Sequence, residues 1–268
     1  MYRINKYQFN DFKCQASLHK ANYAVLVNMP DCGIKYSPDS DFSEEYYLLK
    51  ELSHPQIPAA YDFGQGDLFK GEKLLIKQNF VVLQHVNGYD LIDYFNEKNV
   101  EQPEIIDEIT KLFTTICDPL QYLHSKGYIH CDLKPGHLII TQKTGLVSLI
   151  DFELAIKWGD IIKGISREYA SPEQMQMLAY LKDRPRKAHH KDISATIRLD
   201  GKTDLYSVGL LLYQVLTKKT WQNEKTPPSQ INRSVPQKLE EVVLSLLETN
   251  VADRMPSADE LKKALCGI

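Results

Sequence analysis

Asp132 and Asp151 stand nineteen positions apart, with two short apolar runs between them. Leu138, Ile139 and Ile140 form the first run and Leu146, Val147, Leu149 and Ile150 the second, joined through Lys143-Thr144-Gly145. Two β-prone runs joined at a glycine turn read as a hairpin. That hairpin sets Asp132 before its first strand and Asp151 after its second, at one edge of a small sheet. Carboxylates so placed can divide a reaction between them. One orients an attacking hydroxyl, and the other holds a divalent metal against phosphate oxygens.

Several elements must position this pair. Residues 2–30 read as three strands, the clearest being Tyr23–Val27. A helix is expected from Asp41 to Leu52, with Asp41 as N-cap and Glu44 three residues on. Leu74–Lys77 and Phe80–Gln84 read as paired strands, and Asn87-Gly88 as a turn. From Glu104 to Leu123, Ile105, Ile109, Leu112, Phe113, Ile116, Leu120 and Leu123 keep helical spacing, which marks a core helix beneath the loop. Ser257 and Glu260 make a capping box for a last helix, after an apolar helix over 239–247.

The stretch 128–155 resembles the catalytic and metal-binding segments of eukaryotic-type (Hanks-type) Ser/Thr protein kinases. His130-Cys131-Asp132-Leu133-Lys134-Pro135 is similar to the family's H-R-D-L-K-P, and Asp151-Phe152-Glu153 to its D-F-G. Three further segments agree. Arg167–Glu173 resembles the end of an activation segment, with Ser171-Pro172-Glu173 for A-P-E; Asp204–Gly209 resembles D-x-[WY]-S-x-G; and Arg254 matches the arginine that pairs with the A-P-E glutamate. Tyr61-Asp62-Phe63-Gly64 also spells D-F-G but precedes the Asp132 loop, so it is read as a strand entering a turn.

The resemblance implies an α+β, bilobal fold: a small β-rich lobe over 1–86, with a five-stranded sheet and one helix, and a larger, mainly helical lobe over 87–268. It implies ATP with Mg²⁺ or Mn²⁺ as cofactors. Asp132 would orient the substrate hydroxyl, Lys134 would neutralise the transferring phosphoryl, and Asp151 would hold the metal. Ala24 and Ile139 become the apolar roof and floor for a purine. Leu83 takes the gatekeeper position, Gln84–Val86 the hinge, and Glu45 the place of the helix glutamate that pairs with a lysine.

Departures from the pattern matter as much. The first glycine of the chain is Gly33, so no glycine-rich loop precedes it. Setting Tyr23–Leu26 on the family's V-A-I-K puts Leu26 at the lysine, which predicts a dismantled phosphate grip. Lys35 and Lys20 are the candidate substitutes. His137 replaces the asparagine that binds a second metal, and imidazole suits Mg²⁺ poorly. Cys131 replaces the arginine that reads an activation-loop phosphate, and residues 154–169 contain no threonine.

Composition narrows the classes. The 268 residues carry 43% hydrophobic and 25% charged residues, ordinary for a globular domain, with net charge -3. Nothing there favours nucleic acid or a membrane surface. No apolar run reaches transmembrane length, and the polar start is no secretory signal. Five scattered cysteines give neither a disulfide framework nor a zinc site, so the expected setting is a reducing cytosol, or a host cytosol for an injected effector. Residues 174–203 carry seven Lys/Arg against three Asp, a net of +4. That insert is expected to bind an acidic or phosphorylated partner, with a solvated loop or surface helix as the plain alternative.

Three readings follow: a pseudokinase or atypical Ser/Thr kinase working through protein binding, an active Ser/Thr protein kinase with a relocated lysine such as Lys35, or a small-molecule kinase. The last resembles the choline and aminoglycoside kinases through Ile150-Asp151-Phe152-Glu153, but the segments at 171–173, 204–209 and 254 oppose it.

Overall fold

Alternating burial along the N-terminal strands builds the first of two compact units, Met1–Asn87 and Gly88–Ile268. The computed structural model describes residues 1–10, 14–16 (backbone only), 21–183, 197–221 and 225–268. Seven strands form the sheet of the first unit: β1 (Tyr2–Ile4), β2 (Tyr7–Phe9), β3 (Cys14–Ala16), β4 (Ala21–Leu26), β5 (Met29–Ser37), β6 (Ala60–Lys70) and β7 (Lys73–Gln84), in the order β2-β1-β6-β7-β5-β4-β3. Residues 2–30 thus contribute to five strands where sequence periodicity predicts three. Leu74–Lys77 and Phe80–Gln84, expected as a pair of strands, are one strand, β7, whose partner is β6, so the expected five-stranded sheet is corrected to seven strands among the described residues.

Register sorts the side chains. Ala24 pairs with Ile34, so both lie on one face; Tyr23 pairs with Lys35 and Val25 with Gly33, on the other. The first face is dry. Ala24, Leu26, Cys32, Ile34, Tyr36, Phe80 and Val82 pack there in one core with Tyr2, Ile4, Tyr7 and Phe9 of the β1–β2 hairpin. Each large apolar side chain removed from water there contributes about 1.5–3 kcal/mol. Tyr61–Gly64 lies inside β6, with Phe63 stacked on Tyr46 at 4.4 Å.

Helix α1 runs Ser43–Glu51 and buries Glu45, Leu48 and Leu49. The expected N-cap is displaced by one position: Phe42 occupies it, while the Asp41 carboxylate accepts the Ser43 N–H at 2.9 Å. That backbone hydrogen bond holds the Asp41 pKa below its usual value.

The second unit begins with β8 (Gly88–Asp90), α2 (Leu91–Asn96) and α3 (Pro103–Ser125), the last close to its predicted span. Next come β9 (Tyr128–Ile129), a 3₁₀ turn over Pro135–His137, and the hairpin of β10 (Leu138–Thr141) and β11 (Val147–Leu149). The hairpin pairs Leu138 with Leu149 and Ile140 with Val147, and Gly145 turns it at φ 69°. Beyond the short β12 (Ile156–Lys157), the described residues form helices α4 (Pro172–Asp183), α5 (Gly201–Thr217), α6 (Pro228–Ile231), α7 (Gln237–Leu246) and α8 (Ala258–Cys266). Ser257 caps α8 as the sequence predicts, accepting the Glu260 N–H. Nearly every residue of α5 is buried, which makes it the axis of the unit. The basic insert enters as α4; its Arg184, Arg186, Lys187 and Lys191 lie outside the described residues. Among the described residues, no helix is long and apolar enough to cross a membrane.

One buried ion pair ties α4 to the C-terminal helices. Arg254 grips Glu173 with both arms, at 2.8 and 3.0 Å, and is itself fully buried. Burial alone would raise the Glu173 pKa, but the Arg254 hydrogen bonds and charge outweigh it and the net shift is downward. A depressed carboxylate stabilises the fold above its unfolded pKa, and that stability is lost as pH falls through the folded value. Arg254→Ala, which strands a buried carboxylate, should cost about 3–5 kcal/mol in urea unfolding at neutral pH. The gap from wild type should narrow in acid, and a gap independent of pH would contradict this account.

Candidate active site

In the first unit, Lys35 sits on β5 opposite Tyr23, on the face away from the hairpin core. Its Nζ lies 3.1 Å from Glu45 Oε2 of α1, and the two side chains are only 4% and 1% exposed. Phe42 flanks the ammonium at 5.4 Å. A lysine buried to this degree requires a partner, because the unpaired charge would cost several kcal/mol. The expectation that Glu45 lacks a lysine partner is therefore corrected, and of the two candidate substitutes Lys35 is the one seen to pair with it. It lies one strand later than the V-A-I-K placement assumed, because the β1–β2 hairpin displaces the strand count. Lys20, the other candidate, lies outside the described residues.

The same register corrects Ala24. Its side chain belongs to the hairpin-covered core and faces away from Lys35, so it cannot roof a ligand on the lysine's face. Gly33 and Val25 hold that face instead. Leu83 pairs with Gly33 across β5 and β7 and is buried. Gln84 ends β7, exposed, with its N–H donating to the Ala59 carbonyl at 2.8 Å; Val86 follows, half-buried.

In the second unit, the loop after β9 is fixed from beneath. Asp204, on α5 and fully buried, accepts the N–H groups of His130 and Cys131 at 2.9 Å each, and His124 Nε2 at 2.9 Å. Cys131 adopts φ 64°, which an ordinary side chain resists. Two buried hydrogen bonds hold it there: its N–H to Asp204 and its carbonyl to Gln174 Nε2 at 2.8 Å. Burial drives the Cys131 thiol far above its usual pKa, so it is packing and not a nucleophile.

His130 joins this loop to the one bearing Asp151. Its ring lies 4.8 Å from that of Phe152, and its Nε2 donates to the Ile150 carbonyl at 3.1 Å. Desolvation lowers the His130 pKa, which keeps the imidazole neutral and structural.

Asp132 is thereby held with one oxygen used and one open. Lys134 Nζ donates to its Oδ2 at 3.0 Å, whereas Oδ1 is buried without a hydrogen-bond partner. An unsatisfied buried acceptor costs about 1–3 kcal/mol, a cost that a substrate hydroxyl donating to it would remove. Lys134 also reaches Ser166 Oγ at 3.4 Å. That serine, three residues before Tyr169 of the activation-segment match, carries no signal of this contact in the sequence, and neither does Gln174.

His137 is fixed more tightly than its place in the motif implies. Its Nδ1 lies 2.8 Å from the Asp132 carbonyl, which only accepts, so Nδ1 carries the hydrogen. Nε2 then faces Asp151 Oδ2 at 3.2 Å. Two lone-pair atoms this close need a proton or a cation between them. An imidazole nitrogen beside a carboxylate oxygen suits Mn²⁺ better than the oxygen-seeking Mg²⁺. Asp151 has φ 64°, tolerable for aspartate, which aims its carboxylate at His137. Ile139 lies on β10, half-buried, between Ser148 of β11 and Asp90 of β8.

Comparison with known proteins agrees with this geometry. A sequence model of the protein kinase domain matches residues 28–266, and the chain belongs to that family. Serine/threonine-protein kinase PknB of Mycolicibacterium smegmatis is 27% identical over 262 residues, covering 92% of this chain and 39% of its own. Human serine/threonine-protein kinase ULK1 is 30% identical over 225 residues, covering 79% of this chain and 20% of its own. The chain thus spans well under half the length of either relative. The Mycobacterium tuberculosis PknI kinase domain superposes with TM-score 0.68 at 21% identity, covering 99% of this chain and 97% of that one. The fold is that of a protein kinase, a family that works with ATP and Mg²⁺ or Mn²⁺.

Lys35→Met should destabilise the protein by about 3–5 kcal/mol in denaturant unfolding, because the buried Glu45 carboxylate loses the Lys35 cation. Adding Glu45→Gln should restore most of that loss. Equal stability of wild type and Lys35→Met would show that the pair does not hold α1 to the sheet.

Proposed function

We propose that the chain is an ATP-dependent Ser/Thr protein kinase that uses Lys35. The buried Lys35–Glu45 pair carries this reading, since a missing lysine is one of the three losses, with the glycine-rich loop and a metal ligand, that together point to a pseudokinase. Lys35 contacts the nucleotide phosphates. Asp132 Oδ1 accepts the proton of a serine or threonine hydroxyl as that oxygen bonds to the γ-phosphorus and the bond to the β–γ bridging oxygen breaks. Lys134 balances charge on the moving phosphoryl group. Asp151 and His137 would hold a divalent cation, which neutralises phosphate charge.

Gln84 and Val86 form the link that hydrogen-bonds the base, with Leu83 and Ile139 as apolar contacts. Glu45 acts through Lys35. The acceptor is a protein, as the activation-segment residues and the buried Glu173–Arg254 pair support over a small-molecule kinase. The net charge of residues 174–203 supports an acidic or phosphorylated partner, and unchanged partner affinity after charge reversal of Arg184, Arg186 and Lys187 would remove that assignment. The free cysteines Cys32, Cys117 and Cys131 suit a reducing cytosol.

Slow turnover is the expected consequence of the remaining departures. No glycine precedes Gly33 to cradle phosphates, and His137 replaces an oxygen ligand. Radiolabel transfer from ATP to a generic protein acceptor should occur with Mn²⁺ and fall by about 10²–10⁴-fold in Asp132→Asn. Absence of transfer by wild type with either metal would return the pseudokinase reading. His137→Asn should raise the thermal shift produced by Mg²⁺ with ADP relative to that with Mn²⁺; an unchanged ratio would remove His137 from the metal site.

A further inference from the structure

Within the first unit, Tyr23 lies where the Lys35 face would otherwise be bare. A Cβ added to Gly33 would meet the Tyr23 hydroxyl at 1.9 Å, Cζ at 2.2 Å and Cε2 at 2.6 Å. The phenol therefore rests directly on the Gly33 backbone, and no residue with a side chain could stand there while the ring stays. The same hydroxyl hydrogen-bonds His85 Nδ1 at 2.9 Å, with the two rings 6.0 Å apart. His85 belongs to the link 84–86, and its own N–H is anchored on the Asp31 carbonyl at 2.7 Å.

The hydroxyl end of the ring thus lies over Gly33 and within hydrogen-bond reach of the link, on the sheet face that also presents Lys35 and Leu83. A planar aromatic body with a polar edge turned to the link is the shape and polarity of a purine in the same place. Burial pushes the phenol pKa up, so the hydroxyl stays neutral and available for that bond.

We propose that Tyr23 is an internal stand-in for the nucleotide base, seated on Gly33 and latched to His85, and that adenine binds only when this ring has swung out. The proposal rests on the nucleotide-binding reading above and adds a determinant of affinity to it. Each nucleotide then binds with its intrinsic affinity multiplied by the fraction of molecules with the ring out. Gly33 admits the plug, and the hydroxyl–imidazole bond holds it.

Adenosine and ADP titrated into the full chain by calorimetry test this. Tyr23→Ala removes the ring, and Gly33→Ala expels it by filling its seat. Both should tighten adenosine binding by about tenfold or more, and Tyr23→Phe, which loses only the latch, by about threefold to tenfold. Should a variant fail to fold, wild type carrying 3-fluorotyrosine at position 23 gives the same answer, since its ¹⁹F resonance should move to a solvent-exposed position on saturation with adenosine. Equal adenosine affinity in wild type and both alanine variants, or an unmoved resonance at saturation, overturns the plug while leaving nucleotide binding in place. Folded wild type and variants that all fail to bind adenosine and ADP overturn both.

Discussion

A charge cannot be buried alone, and the ammonium of Lys35 is buried. The architecture of the first unit can be understood as what is needed to satisfy it. Glu45 must reach it from α1, so α1 must lie against the sheet with its first turn toward β5, and Leu48 and Leu49 bury the same side of the helix. The β1–β2 hairpin covers the opposite face of the sheet with an apolar core, and the polar pair lies on the other face. The pair is evidence of function more than of stability, since well-packed apolar residues would serve the fold as well or better.

The second unit meets a related constraint by different means. Its polar loop is buried, so the loop backbone must be satisfied from within the unit. Asp204 does this for His130 and Cys131, and Gln174 for the Cys131 carbonyl. With the backbone held in a left-handed conformation at Cys131, Asp132 keeps an open buried oxygen and His137 is turned toward Asp151. Where the family pattern has arginine, this chain has a buried thiol. The loop is thus held by packing and amide hydrogen bonds, with no cation at that position to read a loop phosphate.

The second unit was far more legible in the sequence than the first. The hairpin of β10 and β11, α3, the capped last helix and the Asp132–Lys134–Asp151 constellation all follow from local signals: turn glycines, helical spacing and a short motif. Those signals act within a few residues. The first unit depends on which of several similar strands pairs with which, and one uncounted hairpin changes the identity of every later strand. Ala24 and Lys35 illustrate this. Both lie in plausible strands, and a one-strand displacement makes a core alanine look like a ligand contact and leaves the lysine that pairs with Glu45 as a mere substitute. Tyr23 was legible only as a strand residue, because its relation to Gly33 and His85 exists only once three strands are side by side. Partner roles such as those of Ser166 and Gln174 likewise depend on contacts across tens of residues.

The central claim is that Lys35 grips the phosphates of a bound nucleotide. It is tested most directly by comparing the affinities of ADP and adenosine, with Mn²⁺ present, in wild type and in the double variant Lys35→Met/Glu45→Gln. A charge-assisted contact of about 1.5–3 kcal/mol predicts that ADP binds roughly ten- to a hundredfold tighter than adenosine in wild type, and that this advantage largely disappears in the variant. An ADP advantage of the same size in both proteins would contradict the account.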